Sequence, residues 1–176
     1  MELLRTDTVL IRSWSEEDLE VFFDLYSRSE VAQWLGRHPR RALTTREEAQ
    51  QRLDAWRQRN DALEPPQGLW AVVALGADPS STHPVGTVLL LPLEGPGTEF
   101  EIGWHLHPTA QGHGCATQAA QGIIDAAQVA GITQLLALTD LDNIASAAVA
   151  RRLGMHDQGE TTRWFNLTTR QFSLSL

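Results

Sequence analysis

The stretch His105-Leu-His-Pro-Thr-Ala-Gln111-Gly-His-Gly-Cys-Ala116-Thr-Gln-Ala-Ala-Gln121 constrains this chain more than any other, because an extended segment runs through a glycine turn straight into a helix. Gly112 and Gly114 permit backbone conformations that other residues resist, and they withhold side chains that would block a ligand. The helix that follows starts with N–H groups lacking intrahelical acceptors, and its N-terminus carries partial positive charge. Together they form a cradle suited to a phosphate or pyrophosphate. Taken alone, Gly-x-Gly fits an ordinary strand-to-helix turn as well. Two common phosphate-binding turns do not fit: no Lys-Ser/Thr follows, as a P-loop requires, and there is no Gly-x-Gly-x-x-Gly.

The segment before the turn, Thr98 to about His107, alternates. Phe100, Ile102, Trp104 and Leu106 share one face, and Glu99, Glu101, Gly103, His105 and His107 the other. Burying a carboxylate on a central strand without a task costs free energy, which makes Glu101 the first candidate for chemistry. After the turn, Ala116, Ala119, Ala120, Ile123, Ile124 and Ala127 repeat at the three-four spacing of a buried helix face, and Gly131 ends the helix.

The remaining elements fall around this centre. Thr8 to Arg12 reads as a strand, and Ser15-Glu-Glu-Asp18 as a capping box opening a helix whose Leu19, Phe22, Phe23 and Tyr26 face the core. A loop with Trp34 follows, from Val31 to Pro39. A second helix starts near Thr45 and buries Ala49, Leu53 and Trp56, before Glu64-Pro-Pro-Gln-Gly68 breaks the chain. Leu69–Leu75 and Val85–Leu91 are nearly continuous apolar runs, as in covered central strands paired as a hairpin, with an exposed turn-rich loop between them. Gln134 to Thr139 forms a fifth strand, and Asp142 to Met155 a fourth helix closed by Gly154. Thr161–Phe165 and Gln171–Leu176 read as a closing hairpin.

At 176 residues the chain suits one domain spanning 1–176, large enough to bury a core without disulfides. Its 42% hydrophobic and 20% charged residues argue against disorder, and no apolar run is long enough to span a membrane. The N-terminus lacks the apolar core of a signal peptide, so a cytoplasmic protein is expected. A single cysteine, Cys115, rules out an internal disulfide and suits a reducing compartment. The net charge of −8 argues against a nucleic-acid surface and suits a cationic acceptor such as an amine. All 14 basic residues are arginine. A metal site from His105, His107 and His113 is disfavoured, because the glycine turn carries the third ligand away.

Gln111-Gly-His-Gly114-Cys-Ala116 resembles the acyl-coenzyme-A signature Gln/Arg-x-x-Gly-x-Gly/Ala of the GNAT acetyltransferase superfamily. Phe100 to Pro108 resembles the fourth strand of the RimJ/RimL-like branch, which includes the ribosomal-protein N-terminal acetyltransferases. Asn143 and Ser146, followed by Leu153-Gly-Met155, resemble the family's Asn-x-x-Ser…Leu-Gly-Phe segment, with Met in place of Phe. The resemblance implies an α/β GNAT fold: a mixed, mostly antiparallel sheet of six to seven strands, flanked by about four helices and splayed between strands four and five. The cofactor implied is acetyl-coenzyme A, acting as acyl donor in that cleft. Its binding residues would be Leu106, His107, Gln111, Gly112, His113, Gly114, Cys115, Ala116, Asn143 and Ser146.

The chemistry implied is direct attack of an amine on the thioester in a ternary complex, the amine being a protein N-terminus or a small molecule. Glu101, through water, is the candidate base, and a backbone N–H near Leu106 or His107 is the candidate oxyanion donor. Ser146 is the candidate proton donor to the leaving thiolate. His105 and His107 rank second as bases. Trp34, Glu101 and His105 border the acceptor. Cys115 occupies a variable position of the motif, and Asn143 also fits as a helix N-cap and Ser146 as a first-turn residue. Alternatives are a succinyl or other acyl donor, a small-molecule amine such as an antibiotic, and a non-catalytic acyl-coenzyme-A sensor. A homodimer is the family-level expectation, with no nucleic-acid, membrane or metal partner.

Overall fold

The computed structural model describes residues 1–36, 39–75, 80–93 and 99–176. Eight strands form a single sheet: β1 (Glu2–Arg5), β2 (Val9–Ser13), β3 (Gly68–Ala74), β4 (Pro84–Pro92), β5 (Phe100–Leu106), β6 (Gln134–Thr139), β7 (His156–Thr161) and β8 (Thr169–Ser175). Their spatial order is β1-β2-β3-β4-β5-β6-β8-β7, antiparallel except for β5 beside β6. The helices are α1 (Leu19–Ser27), α2 (Ser29–Ala32), α3 (Arg46–Asp61), α4 (Cys115–Val129) and α5 (Ile144–Arg152).

The expected hairpin of apolar strands is β3 paired with β4, almost wholly buried. One face of the sheet packs against α4 and α5 through Ile102, Ala120, Ile123, Ala150, Leu153 and Met155. The other packs against α1 and α3 through Phe22, Leu25, Tyr26, Ala49 and Leu53. Layers on both faces explain why β3 and β4 are continuous apolar runs instead of alternating ones. At the entry to α1, the Ser15 N–H donates to the Asp18 carboxylate at 2.9 Å, the return bond of a capping box. Burial would raise the pKa of Asp18, but the Arg12 guanidinium and the Ser15 donors outweigh it and hold the carboxyl below its ordinary value.

Several local readings are corrected. Among the described residues the sheet has eight strands, the additional one being β1, an edge strand with exposed ends that pairs with β2. The strand expected as the fourth is therefore β5; Thr98, its expected first residue, lies outside the described residues, as do Arg37 and His38 of the Trp34 loop and Gly76 to Pro79 of the loop after β3. A one-turn helix, α2, replaces the start of the Trp34 loop. The closing hairpin is β7 with β8, so of the expected strand Thr161–Phe165 only Thr161 is strand, the last residue of β7, and residues 162–165 lie in the turn. Phe165 and Asn166 take left-handed φ values of 57° and 56°, incompatible with a strand, while Trp164 buries its ring from the turn against Leu93 and Leu136. β7 was missed because His156-Asp-Gln-Gly-Glu-Thr161 is a polar edge strand with no apolar alternation.

The feature that builds a site is the divergence of β5 from β6. β5 pairs with β4 along its whole length, from Gly86↔Leu106 to Pro92↔Phe100. It pairs with β6 only at Phe100↔Leu135 and Glu101↔Leu136. From Ile102 onward the two strands part, leaving one edge of β5 open.

Candidate active site

The open edge of β5 runs into the glycine turn. Gly112 and Gly114 have φ values of +79° and +82°, left-handed conformations that strain a residue with a side chain. Gly114 caps α4, whose first i→i−4 bond runs from Gln118 N to Gly114 O. That geometry leaves the N–H groups of Cys115, Ala116 and Thr117 without intrahelical acceptors. Gln111 braces the turn from outside, its Nε2 donating to the Leu106 carbonyl at 3.2 Å.

The backbone register separates the two candidate oxyanion donors. The His107 N–H donates to Val85 O at 2.8 Å and is consumed by the β4 pairing. Successive amides of a strand point to opposite edges, so the Leu106 N–H faces the cleft. His107 Nδ1 lies 2.7 Å from Thr109 Oγ1, while its buried Nε2, 3.1 Å from Asp24 Oδ2, makes no hydrogen bond among the described residues.

Two cavities meet at this strand. The first, about 770 Å³, is walled by the glycine turn, the start of α4, and Asn143, Ser146, Val149 and Arg152 of α5 and its cap. The second, about 700 Å³, lies between β5, α3 and the Trp34 segment and contains Glu101. Trp34, Leu35, Trp104, His105, Asn143 and Ser146 line both. The junction is thus a strand carrying His105 faced by a helix carrying Ser146.

Burial shapes the titration of the groups here. Desolvation pushes Glu101 up to about 7, opposed only in part by the positive charge of Arg59. Desolvation also pushes His105 down to about 4, so its imidazole is neutral at neutral pH. His105 Nδ1 lies 3.2 Å from the Tyr26 hydroxyl, which is 2.6 Å from Thr87 Oγ1. Burial raises the Tyr26 pKa strongly, so the phenol stays protonated and available to hydrogen-bond. The Cys115 thiol is buried and its pKa is likewise raised by desolvation, the opposite of an activated nucleophile.

Of the residues singled out from sequence, Leu106, Gln111, Gly112, Gly114, Cys115, Ala116, Asn143 and Ser146 line the first cavity, and Glu101 the second. Trp34 and His105 border both. His113 is exposed and is not among the residues lining either cavity. The Asn143 side chain accepts from the Ser146 N–H at 3.0 Å, so it serves as the N-cap of α5. Leu153-Gly-Met155 closes that helix, with both flanking side chains in the core. Sequence reading missed Arg152, on the wall of the first cavity, and Arg52 and Arg59, on the wall of the second. Trp104, placed from sequence on one face with Phe100, Ile102 and Leu106, lines both cavities, and its buried Nε1 has no partner among the described residues. Among the described residues no group of three His, Cys, Asp or Glu is placed to hold a metal, and no helix is long and apolar enough to cross a membrane.

A mixed sheet splayed at one strand, with a glycine turn and helix N-terminus at the open edge, defines the class as an N-acetyltransferase fold. The chain belongs to the GNAT acetyltransferase family: residues 8–156 match its family model, described as an acetyltransferase (GNAT) domain. A search of curated protein sequences finds no significant match. Among solved structures, RimL, a ribosomal L7/L12 α-N-protein acetyltransferase solved in complex with coenzyme A, superposes with a TM-score of 0.80 at 17% identity, covering 100% of this chain and 98% of that one. An acetyltransferase from Salmonella typhimurium that modifies the N-terminal serine of L7/L12 gives 0.78 at 17% identity, with 100% and 99% covered. The ribosomal-protein-S5-alanine acetyltransferase of Vibrio fischeri gives 0.74 at 19%, with 99% and 96% covered. These likenesses show a shared fold of the RimJ/RimL kind.

Proposed function

We propose that this chain transfers an acetyl group from acetyl-coenzyme A to a primary amine, most simply a protein N-terminal α-amine, by direct attack in a ternary complex, and that residues 1–176 form one catalytic domain. The observation that carries the reading is the meeting of two cavities on β5, one rimmed by unpaired helix N-terminal amides and the other holding Glu101. The acceptor of a structural neighbour, the N-terminal serine of ribosomal protein L7/L12, supports the choice of amine.

The residues present fit the coenzyme. The amides of Cys115, Ala116 and Thr117, with the cation of Arg152, suit a pyrophosphate, and the side-chain-free turn at Gly112 and Gly114 allows close approach. Asn143 and Ser146 stand on the opposite wall, along the path of a pantetheine arm. When bound, acetyl-coenzyme A supplies an activated acyl group as a thioester.

The protein's own groups then divide the work. Glu101, with a pKa near 7, is partly ionised at neutral pH and basic enough to take a proton from the acceptor's ammonium, directly or through water, freeing the amine that attacks. An α-amine, with an ordinary pKa near 8, asks less of that base than a lysine side chain, near 10.4. The Leu106 N–H, aimed into the cleft, is the donor for the oxyanion. Ser146 relays a proton to the departing thiolate, a modest task because a thiol's ordinary pKa is about 8.5. His105, held neutral with a pKa about 4, is a weak proton acceptor and serves to order the junction.

Mass spectrometry of N-terminal peptides and small amines incubated with the protein and acetyl- or succinyl-coenzyme A tests this reading. The expected product is an amine carrying one acetyl group. A protein that binds either coenzyme yet modifies no acceptor is a sensor and not this transferase.

A further inference from the structure

We propose that the acceptor amine carries an anionic group, a carboxylate or phosphate, held by Arg52 and Arg59 in the cavity beside Glu101. This deepens the transferase reading above and rests on it.

The helix α3 carries two sets of arginines. Arg46 and Arg57 point away from the cavity and are neutralised, by Glu20 at 2.7 Å and Glu16 at 2.9 Å. Arg52 and Arg59, seven residues apart and therefore on one face with Trp56, line the cavity. Neither has an ion-pair or hydrogen-bond partner among the described residues. The cavity's other arginines are occupied: Arg40 forms a bidentate pair with Asp140 and donates to the Gln33 and Gly36 carbonyls, and Arg41 pairs with Glu48 at 2.8 Å.

Removing a guanidinium from water without a counter-charge is unfavourable, and burial does pull the pKa of Arg52 down. Of the cavity's carboxylates, Asp140 is held by Arg40, and among the described residues none forms an ion pair with Arg52 or Arg59. Its remaining carboxyl, Glu101, is pushed by its own burial toward the neutral form. Two unpaired forks on one wall, that of Arg52 half-buried and that of Arg59 exposed, present a positive subsite within a chain of net charge −8. The planar fork matches a carboxylate or phosphate. An anion on the acyl chain of the donor is the other source of the same chemistry. The acceptor is favoured because these arginines line the cavity that excludes the glycine turn.

The test compares acceptors matched except for charge: 4-aminobutyrate with 4-aminobutyramide, O-phosphoethanolamine with ethanolamine, and the peptide Ser-Asp-Glu with Ser-Asn-Gln. Each is assayed with acetyl- and succinyl-coenzyme A. The expected wild-type result is a kcat/KM at least about tenfold higher for the anionic member of at least one pair. The Arg52→Gln/Arg59→Gln double variant brings that ratio toward one, Arg52→Lys keeps much of it, and Arg46→Gln, whose arginine pairs on the outer face, leaves it unchanged. Equal rates across every pair, or a ratio that survives the double variant, overturns the proposal. So does an arginine-dependent preference for succinyl- over acetyl-coenzyme A with neutral amines, which puts the anion on the donor.

Quenching of the cavity tryptophans by the same compounds gives a readout without turnover. Saturable quenching by the anionic members that the double variant abolishes, with no acyl transfer to any amine, would uphold the subsite and remove the transferase reading instead.

Discussion

The Tyr26 hydroxyl and His105 Nδ1 lie 3.2 Å apart, joining the first helix to the strand at which the two cavities meet. Thr87 Oγ1, buried on β4 and 2.6 Å from the same hydroxyl, extends the contact into a chain of three polar groups. The imidazole at the junction is thereby fixed by groups outside both cavities.

Tyr26→Phe breaks that chain and leaves the buried Thr87 hydroxyl without its phenol partner. The expected cost is about 1–3 kcal/mol of stability, read by denaturant unfolding. Turnover should fall while coenzyme affinity holds, because Tyr26 is not among the residues lining the first cavity, where the coenzyme is proposed to bind. A variant as stable and as fast as wild type would show that the chain positions nothing.

The pH dependence separates the candidate bases. With Glu101 near 7 and His105 near 4, kcat/KM for an amine acceptor should rise through about pH 7 as Glu101 ionises, with a second rise at the pKa of the amine itself. Glu101→Gln should remove the lower limb and His105→Gln should keep it. A limb that disappears only in the histidine variant would make His105 the base.

Glu101 also works against the fold. Its folded pKa is raised above the ordinary 4.5, so the folded state disfavours its charged form. No penalty is present below about pH 4.5, where the carboxyl is protonated folded and unfolded; it grows as pH rises toward 7 and is complete above that. Glu101→Gln is therefore expected to be more stable than wild type at pH 8, by about 3 kcal/mol, and equal to it at pH 4. Melting temperatures measured at both values check this, and a variant less stable at pH 8 would contradict it.

Gly86 holds β4 close to β5 at the site. A Cβ there would come within 2.2 Å of the His105 carbonyl oxygen, a backbone atom that cannot step aside. Gly86→Ala should push the strands apart beside Leu106, costing stability by about 1–3 kcal/mol and lowering activity. Gly112→Ala meets no atom within 4 Å and pays only for its left-handed φ, about 1–2 kcal/mol. If Gly86→Ala proves the milder of the two for unfolding stability, the close approach does not hold the two strands together.

The centre of the fold was readable because its signals are local and strong. The run from Phe100 through Gly114 to Ala127 encodes strand, turn and helix in successive periods, and Gln134 to Thr139 matches β6 residue for residue. The edges were not: Glu2–Arg5 and His156–Thr161 are short, exposed strands whose pairing comes from neighbours and not from their own pattern. Within the site, Glu101 stood out as a carboxylate in a central strand. Arg52 and Arg59 did not, because on an amphipathic helix an arginine facing a cavity and one facing solvent look alike. Only the packing of α3 against the sheet tells Arg52 from Arg46. The choice between the amides of Leu106 and His107 likewise depends on strand pairing, which a single sequence does not carry.

The most direct test of the account is free-thiol release from acetyl-coenzyme A in the presence and absence of N-terminal peptides, with Glu101→Gln and Ser146→Ala beside the wild type and coenzyme binding measured for each. The account predicts release that depends on the amine, falls by about 10²–10⁴-fold in Glu101→Gln as expected for loss of a general base, falls less in Ser146→Ala, and leaves coenzyme binding intact in both. Amine-dependent release that neither substitution slows would contradict it, since the chemistry would then lie away from the junction of the two cavities.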